Sequence, residues 1–363
     1  MKDISKRKLL ILTNCVLEYR IAVYNLLSET FNVTVAHYGK RVDNDKTRFK
    51  QIMLTARKRG SFIILKENIK LLASQFDAVL AMGDLHCLSY LRLGSIRKRS
   101  FSLTFWSIGV SASHNKRFDE DRKLDWIRFK LMNTADSIVF YTDYPINRYV
   151  NDGGIEKAKL FVAYNTVEIQ EKVKVPTNKK YFLFVGTLYK AKKIFDLLNA
   201  YLLAYNFDQS IQSLLIIGDG EEKINIEIWI QENHLQDKIT LTGAIFNQDV
   251  LRKFYQDAIA CISPGQAGLT VLNSMAYGVP FVTTKNAITG GEIFNIKNEI
   301  NGIIYEESIE QLSEILLDLS QNPDKVHNLS LNAQDYFYNN RTIPTMIQGL
   351  IDSVMYAISK RNK

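Results

Sequence analysis

The apolar residues of this chain fall in short runs at regular intervals, separated by longer stretches of mixed polarity. KLLILT (Lys8–Thr13), NVTVAHY (Asn32–Tyr38), DAVLAM (77–82), FSLTFW (101–106), SIVFYT (137–142) and LFVA (160–163) read as strands. Between them, Arg20–Thr30, the region of Cys87–Leu93 and Lys123–Asn133 carry helical spacing of apolar positions. Residues 168–180 (EIQEKVKVPTNKK) are polar, contain Pro176 and predict a linker. The alternation then restarts with YFLFVG (181–186), a helix over Ile194–Tyr205, SLLIIG (213–218), a helix over 222–233, KITLTG (238–243), a helix over 248–256 and the run AIACIS ending at Ser263. GIIYEE (302–307) is a last strand, and three helices close the pattern, the last from Ile343 to about Lys360. Strands alternating with helices predict parallel sheets covered on both faces. Two such halves predict two doubly wound α/β domains facing across a cleft. Ligands in these sheets bind beyond the carboxyl ends of the strands.

One stretch breaks the rhythm. SPGQAGLTVLNSMAYGVP (Ser263–Pro280) sits between two buried strands. Pro264, Gly265 and Gly268 predict a sharp turn, followed by a helix that starts near Gly268 and stops at Tyr277–Gly278. A glycine-rich turn opening a helix leaves backbone N–H groups aimed outward, which suits phosphate. It also serves as a plain connector, and its spacing alone does not choose between the two.

Composition adds little to the fold and more to the partners. With 363 residues, 46% hydrophobic and 23% charged, the chain fits two soluble domains large enough to bury their own cores. Cys15, Cys87 and Cys261 are far apart, beside apolar runs, and read as small buried hydrophobes in a reducing compartment. The run Leu9–Leu12 is too short for a signal peptide, and no run approaches the roughly 18 apolar residues of a membrane span. The net charge of +8 is unevenly spread: Met1–Asn165 holds 28 Lys and Arg against 16 Asp and Glu, a surplus of +12, whereas the remainder is mildly acidic. The basic half predicts an anionic partner. No RRM, zinc-finger or helix-turn-helix signature points to nucleic acid. An anionic membrane surface fits, with Arg57-Lys58-Arg59 and Arg97-Lys98-Arg99 as the basic clusters.

Most familiar chemistries find no signature. TNCVLEYR after the first strand has no glycine, so there is no dinucleotide fingerprint. Asp119-Glu120-Asp121 reads as the acidic opening of the helix at 123–133 rather than as a metal site, and the histidines at 37, 86, 114, 234 and 327 have no ligand spacing. No nucleophile elbow is present.

FLFVGTLYKAKK, LLIIGDGEE, ITLTG, the Ser263–Pro280 stretch with the following FVTT, and ITGGE resemble, in order and spacing, the retaining glycosyltransferases of family four. The resemblance covers about 181–306, and NTV at 165–167 is similar to the family's Asn-Gly-Val segment. Glu18-Tyr19-Arg20 and TFWSIG (104–109) resemble the branch that builds bacterial surface polysaccharides. The resemblance implies the GT-B fold: an N-terminal acceptor domain (1–168), a linker (169–180), a nucleotide-sugar domain (181–342) and a final helix (343–363) that can pack back on the first domain. It implies a nucleotide-sugar donor, a glycan or lipid-linked acceptor in O-antigen, capsule or exopolysaccharide synthesis, and no metal or other cofactor. It places the protein in the cytoplasm, at the inner face of the cell membrane.

The family's residues transfer in part. After Gly186 the family has an Arg where this chain has Thr187; the diphosphate-binding Lys five residues on is kept as Lys192, with Lys190 or Lys193 as substitutes for the Arg charge. The family's two Glu positions are Gly265 and Asn273 here. Gln266 is then a candidate for the donor sugar and Asn273 for the ribose. Gly268 and Leu269 match backbone phosphate donors, and Glu292 matches a Glu near the donor. Glu18, with Arg20, Trp106 and Gly109, falls on the acceptor side, where Glu18 orients or deprotonates a hydroxyl or is simply a solvated acid. The departures at Thr187, Gly265 and Asn273 leave open a non-catalytic carbohydrate- or nucleotide-binding relative, and the fold leaves open a sugar-nucleotide epimerase.

Overall fold

Continuous apolar runs bury both faces of a strand, and that is how they are used here. The computed structural model describes residues 6–112, 118–120 and 122–361. His114 and Asp121, named above, lie outside the described residues. The chain divides into two compact units. Unit 1 comprises Met1–Ser111, Asp121–Glu168 and Thr342–Lys363; unit 2 comprises Ile169–Arg341 with the short segment Ala112–Glu120.

Unit 1 is built on β1 (Lys8–Leu12), β2 (Asn32–His37), β3 (Lys50–Met53), β6 (Ala78–Met82), β7 (Ser102–Ser107), β8 (Ser137–Phe140) and β9 (Leu160–Val162), with β4 (Ala56–Arg59) and β5 (Phe62–Leu65) forming a separate antiparallel hairpin. The main sheet is parallel throughout, in the order β3-β2-β1-β6-β7-β8-β9. In β1 the four residues Leu9–Leu12 are all buried. Its helices are α1 (Glu18–Thr30), α2 (Ile69–Ala73), α3 (Leu88–Leu91), α4 (Asp125–Met132) and α5 (Ile146–Asn151). Asp119 and Glu120 fall short of α4. The acid in its first turn is Asp125, which is buried and paired with both Arg128 and Arg148. A cavity of about 840 Å³ opens at the amino ends of the strands, lined by Lys6, Arg7, Lys8 and Arg48 among others, at the edge opposite the carboxyl ends.

Unit 2 repeats the plan with β10 (Tyr181–Val185), β11 (Ser213–Ile217), β12 (Ile239–Gly243), β13 (Ala258–Ile262), β15 (Phe281–Thr284) and β17 (Gly302–Tyr305), ordered β12-β11-β10-β13-β15-β17. A two-stranded pair, β14 (Gln266–Ala267) with β16 (Ile288–Thr289), lies beyond β13. Its helices are α6 (Ile194–Phe207), α7 (Lys223–Glu232), α8 (Gln248–Gln256), α9 (Thr270–Ala276), α10 (Ile309–Gln321) and α11 (Pro323–Asn340). In both sheets the winding reverses beside the first strand, between β1 and β6 and between β10 and β13. Such a reversal opens a crevice at the carboxyl ends, where doubly wound sheets take ligands.

Two segments add to the sequence expectation. Residues 169–180, which follow the boundary between the units, also lie as a strap on unit 2. Val173 and Val175, two apart, put both side chains on one face and bury them. Gln334 Nε2 donates to the Val173 carbonyl at 2.8 Å, and Lys179 Nζ donates to the carbonyls of Ala258 and Gly278, each at 2.9 Å. Burial lowers the Lys179 pKa to about 7. The second is the hairpin β4–β5, which the apolar pattern does not predict.

The final helix, α12 (Ile343–Arg361), belongs to unit 1. Its Met346, Ile347, Leu350, Val354 and Ile358 join Ile21, Val23, Tyr24 and Leu27 of α1 in a single core over one face of the first sheet. Gly349 makes the approach possible, because a Cβ there would lie 2.1 Å from the Val162 carbonyl oxygen. Gly349→Ala is therefore expected to destabilise unit 1 by about 1–3 kcal/mol, the usual range for overpacking; an unchanged Tm would show that the helix can slide.

Candidate functional site

The winding reversal in unit 2 brings together the loops after β10 and β13. The first leaves the sheet at Gly186, passes the exposed Thr187 and the buried Leu188, and makes one 3₁₀ turn over Lys190–Lys192 before α6. Lys193, at φ 51°, closes the turn in the left-handed region. The Lys192 side chain folds back over the end of β10, so that a Cβ on Gly186 would stand 3.2 Å from its Nζ. The residue is only 8% exposed, yet Lys192 has no carboxylate partner among the described residues. Desolvation lowers its pKa to about 8, against a small opposing influence from the Cys261 thiol. A buried ammonium without a counter-ion is costly to hold and is poised to receive an anion.

The second loop is held from below. Thr283 Oγ1 donates to the Ser263 carbonyl and Thr284 Oγ1 to that of Pro264, both at 2.8 Å, and Ser263 Oγ donates to the Gln266 carbonyl at 2.8 Å. The Gly265 N–H donates to the Lys192 carbonyl at 3.1 Å, so the two loops are one rigid piece. This contact explains the missing Glu. A Cβ at 265 would lie 2.1 Å from the Ala191 carbonyl oxygen and 2.7 Å from the Lys192 carbonyl carbon, so the 190–192 turn occupies the space of any side chain. Beyond it, the N–H groups of Gly268 and Leu269 donate to no partner among the described residues. Asn273 lies half-buried in α9, and its side chain has no hydrogen bond among the described residues.

The structure thus gathers Gly186, Thr187, Lys192, Gly265, Gln266, Gly268, Leu269 and Asn273 at one edge of unit 2. Of the two substitutes for the family Arg, Lys193 is paired with Glu307, which leaves the exposed Lys190. Glu292 is buried and turned into its own loop, where its Oε2 accepts the Gly290 N–H at 3.0 Å. Sequence reasoning does not single out Tyr189. Its hydroxyl donates to Gln266 Oε1 at 2.6 Å, which leaves the Gln266 amide nitrogen to act as a donor. Nothing in the sequence marks it beyond its place next to the lysines.

The acceptor-side residues belong to unit 1. Glu18 opens α1 with a side chain 88% exposed and 3.7 Å from Lys46 Nζ. Arg20 faces the other way, into the core. It lies over the rings of Tyr19, Trp106 and Tyr141 at 5.0, 4.7 and 5.1 Å and donates to Asn165 Oδ1 at 2.9 Å. Its role is to knit α1, β7 and the chain leaving β9, which takes Arg20 and Trp106 out of a solvent-facing pocket. Gly109, at φ 82°, turns the chain after β7. Cys87 and Cys261 are buried, and Cys15 is half-buried.

Comparison with known proteins agrees with this geometry. Residues 165–336 match the family model of glycosyl transferases group 1. No curated protein sequence matches the chain. Among solved structures, a glycosyltransferase from Rickettsia africae is similar over 99% of this chain and 100% of its own, with TM-score 0.73 and 17% identity. The apo form of the lipopolysaccharide outer core galactosyltransferase WaaB is similar over 96% and 99%, with TM-score 0.68 and 17% identity. Anabaena HepE in complex with UDP-glucose is similar over 98% and 100%, with TM-score 0.68 and 15% identity. At these identities the structural likeness speaks for the fold alone. The chain has the GT-B fold, and its residues 165–336 match glycosyl transferases group 1.

Proposed function

We propose that this glycosyltransferase moves a hexose, with retention, from a nucleotide-sugar to a glycan or lipid-linked acceptor in surface polysaccharide synthesis, at the inner face of the cell membrane. The observation that carries the reading is Lys192, whose buried ammonium has no carboxylate partner among the described residues and whose carbonyl holds the Gly265 turn at the winding reversal of unit 2. Departure of a nucleoside diphosphate develops negative charge on phosphate oxygens. Lys192 and the Gly268 and Leu269 N–H groups stabilise that charge as the bond breaks. The acceptor hydroxyl then attacks from the same face and passes its proton to the leaving phosphate. HepE holds UDP-glucose in its own structure and WaaB is a galactosyltransferase, which supports a nucleotide-hexose and a surface glycan as the substrate classes here. Among the described residues no helix is long and apolar enough to cross a membrane.

Incubation with UDP-, GDP- and dTDP-sugars, scored for slow donor hydrolysis, tests the reading. One hydrolysed donor supports it; isomerisation of a donor would indicate an epimerase. Thermal stabilisation by a donor without turnover would favour a binding relative, the reading that the filled space at Gly265 motivates.

Two substitutions separate backbone from side-chain recognition. Apart from its neighbours in the chain, no atom of the described residues lies within 4 Å of a Cβ on Gly268, so Gly268→Val should fold normally and lose nucleoside diphosphate binding by clashing with phosphate. Asn273→Ala should weaken binding by about 1–2 kcal/mol, the range for a lost hydrogen bond. Calorimetry showing unchanged binding in both would reduce the turn to a connector.

A further inference from the structure

The hairpin β4–β5 stands outside the main sheet of unit 1. It is fixed at the carboxyl ends of the strands: the Ile63 N–H donates to the His86 carbonyl at 2.8 Å, just beyond β6, and the Thr55 N–H donates to both oxygens of Glu67, at 2.9 and 3.0 Å. The pairing register sorts its side chains. Arg57 pairs with Ile64 and Arg59 with Phe62, while Lys58 pairs with Ile63 and Ala56 with Leu65. Because side chains alternate along a strand, Arg57, Arg59, Phe62 and Ile64 share one face. Leu65 and Ile63, on the other face, pack into the domain core. The outer face therefore interleaves two guanidinium groups with an aromatic ring and an aliphatic side chain. All four residues of β4 are exposed and Phe62 is 46% exposed. Arg57, Lys58, Arg59 and Lys66 form no ion pair among the described residues, and residues 56–66 contain no Asp, Glu, Asn or Gln.

We propose that this hairpin face docks on an anionic lipid bilayer, with Arg57 and Arg59 at the level of the headgroup phosphates and Phe62 inserted among the acyl chains below them. The inference rests on the reading above, that the acceptor is carried at a membrane. Its grounds are the chemistry of the face. A glycan is read by hydrogen-bond donors and acceptors together, and this face offers cations and hydrocarbon with no side-chain acceptor except the Ser61 hydroxyl at the turn. A charged headgroup layer over acyl chains asks for that combination. The other basic cluster is less available, because Arg99 is tied to Asp136 at 2.7 Å and to the carbonyls of Gly94 and Thr134.

The test uses the full chain with vesicles containing phosphatidylglycerol or phosphatidylcholine alone, at low and high salt. Wild type should sediment with the anionic vesicles at low salt and be released at high salt. The double variant Arg57→Glu/Arg59→Glu should lower partitioning by at least about 25-fold, given about fivefold for each of the two cations lost, before screening and before repulsion by the new carboxylates. The Phe62→Trp variant should be quenched by brominated lipid more strongly than wild type, whose Trp106, Trp126 and Trp229 set the background, which keeps the proposal testable if the double variant fails to fold. Partitioning of a folded double variant within twofold of wild type would overturn it, as would bound Phe62→Trp protein quenched no more than wild type. So would equal binding to neutral vesicles, or displacement from anionic vesicles by a soluble anionic glycan. Wild-type donor hydrolysis in vesicle-free buffer tests the transferase reading separately: an inert donor with hairpin-dependent vesicle binding removes that reading and leaves the docking face.

Discussion

Lys192→Met is expected to give a protein that is more stable than wild type and nearly inactive. Methionine keeps the length of the stem and fills the same space without the charge. Removing a buried ammonium that has no carboxylate partner among the described residues lifts a desolvation cost that, from a pKa lowered to about 8, is on the order of a few kcal/mol at neutral pH. The same change takes away a charge contact to the leaving diphosphate, so kcat/KM should fall by about 10²-fold or more. A stabilised, inactive variant separates a functional lysine from a structural one, because loss of a structural contact would lower the Tm as well. Lys192→Ala should lose activity equally. Activity within twofold of wild type in both variants would remove Lys192 from the site and turn attention to Lys190. The pH dependence carries a matching signature. The free enzyme loses the Lys192 charge as pH rises through about 8, whereas a bound diphosphate raises that pKa again. Nucleoside diphosphate affinity should therefore fall about tenfold from pH 7 to pH 9, with a proton taken up on binding at the higher pH. Calorimetry in buffers of different ionisation enthalpy measures that proton, and Lys192→Met should not take it up.

Restoring the family's first Glu is expected to damage the enzyme. Gly265→Glu places a Cβ where the Ala191 carbonyl oxygen stands, so the Lys190–Lys192 turn must move and carry the Lys192 ammonium with it. Gly265→Ala alone should cost about 1–3 kcal/mol of stability. Gly265→Glu should cost more and lower donor turnover by about 10²-fold, the scale of losing Lys192 itself. Asn273→Glu should be tolerated, because Asn273 is only half-buried and its side chain has no hydrogen bond to break among the described residues. A Gly265→Glu variant with the wild-type Tm and equal or faster donor hydrolysis would refute the steric account. The absence of the acid at 265 would then be a matter of ancestry rather than of packing.

These two positions show how far sequence carries the reading. Lys192 is legible through the resemblance, which places a diphosphate-binding lysine at that position after β10, and strands such as β1 and β10 are legible because parallel strands buried on both faces are unbroken apolar runs. Gly265 is legible as a departure but not as a necessity. The atoms that exclude its Cβ belong to a loop distant along the chain, and only the fold brings them together. The strap at 169–180 escapes notice because its apolar face consists of Val173 and Val175 alone, set among lysines. The strand β4 escapes for a stronger reason: Ala-Arg-Lys-Arg has no apolar period, and it becomes a strand only by pairing with β5. The pairing of Arg20 with Asn165 and three aromatic rings is a tertiary fact of the same kind, and it moves a candidate from the acceptor side into the core.

The return of α12 to unit 1 inverts the order in which the domains can be completed during synthesis. The body of unit 2, Ile169–Arg341, leaves the ribosome between β9 and α12, so its core can close while the first sheet still waits for Met346, Leu350 and Val354. Leu9, Ile11, Leu80 and Val139 line the face that those residues cover. For the time needed to translate an entire domain, the earlier-made sheet carries a partly bare apolar surface, the kind that chaperones bind and that aggregates when they are scarce. A released chain ending at Arg341 should accordingly show a protease-resistant second domain and a protease-sensitive first one. Expression of this enzyme would then be limited by the protection of its amino-terminal half until its last helix is made.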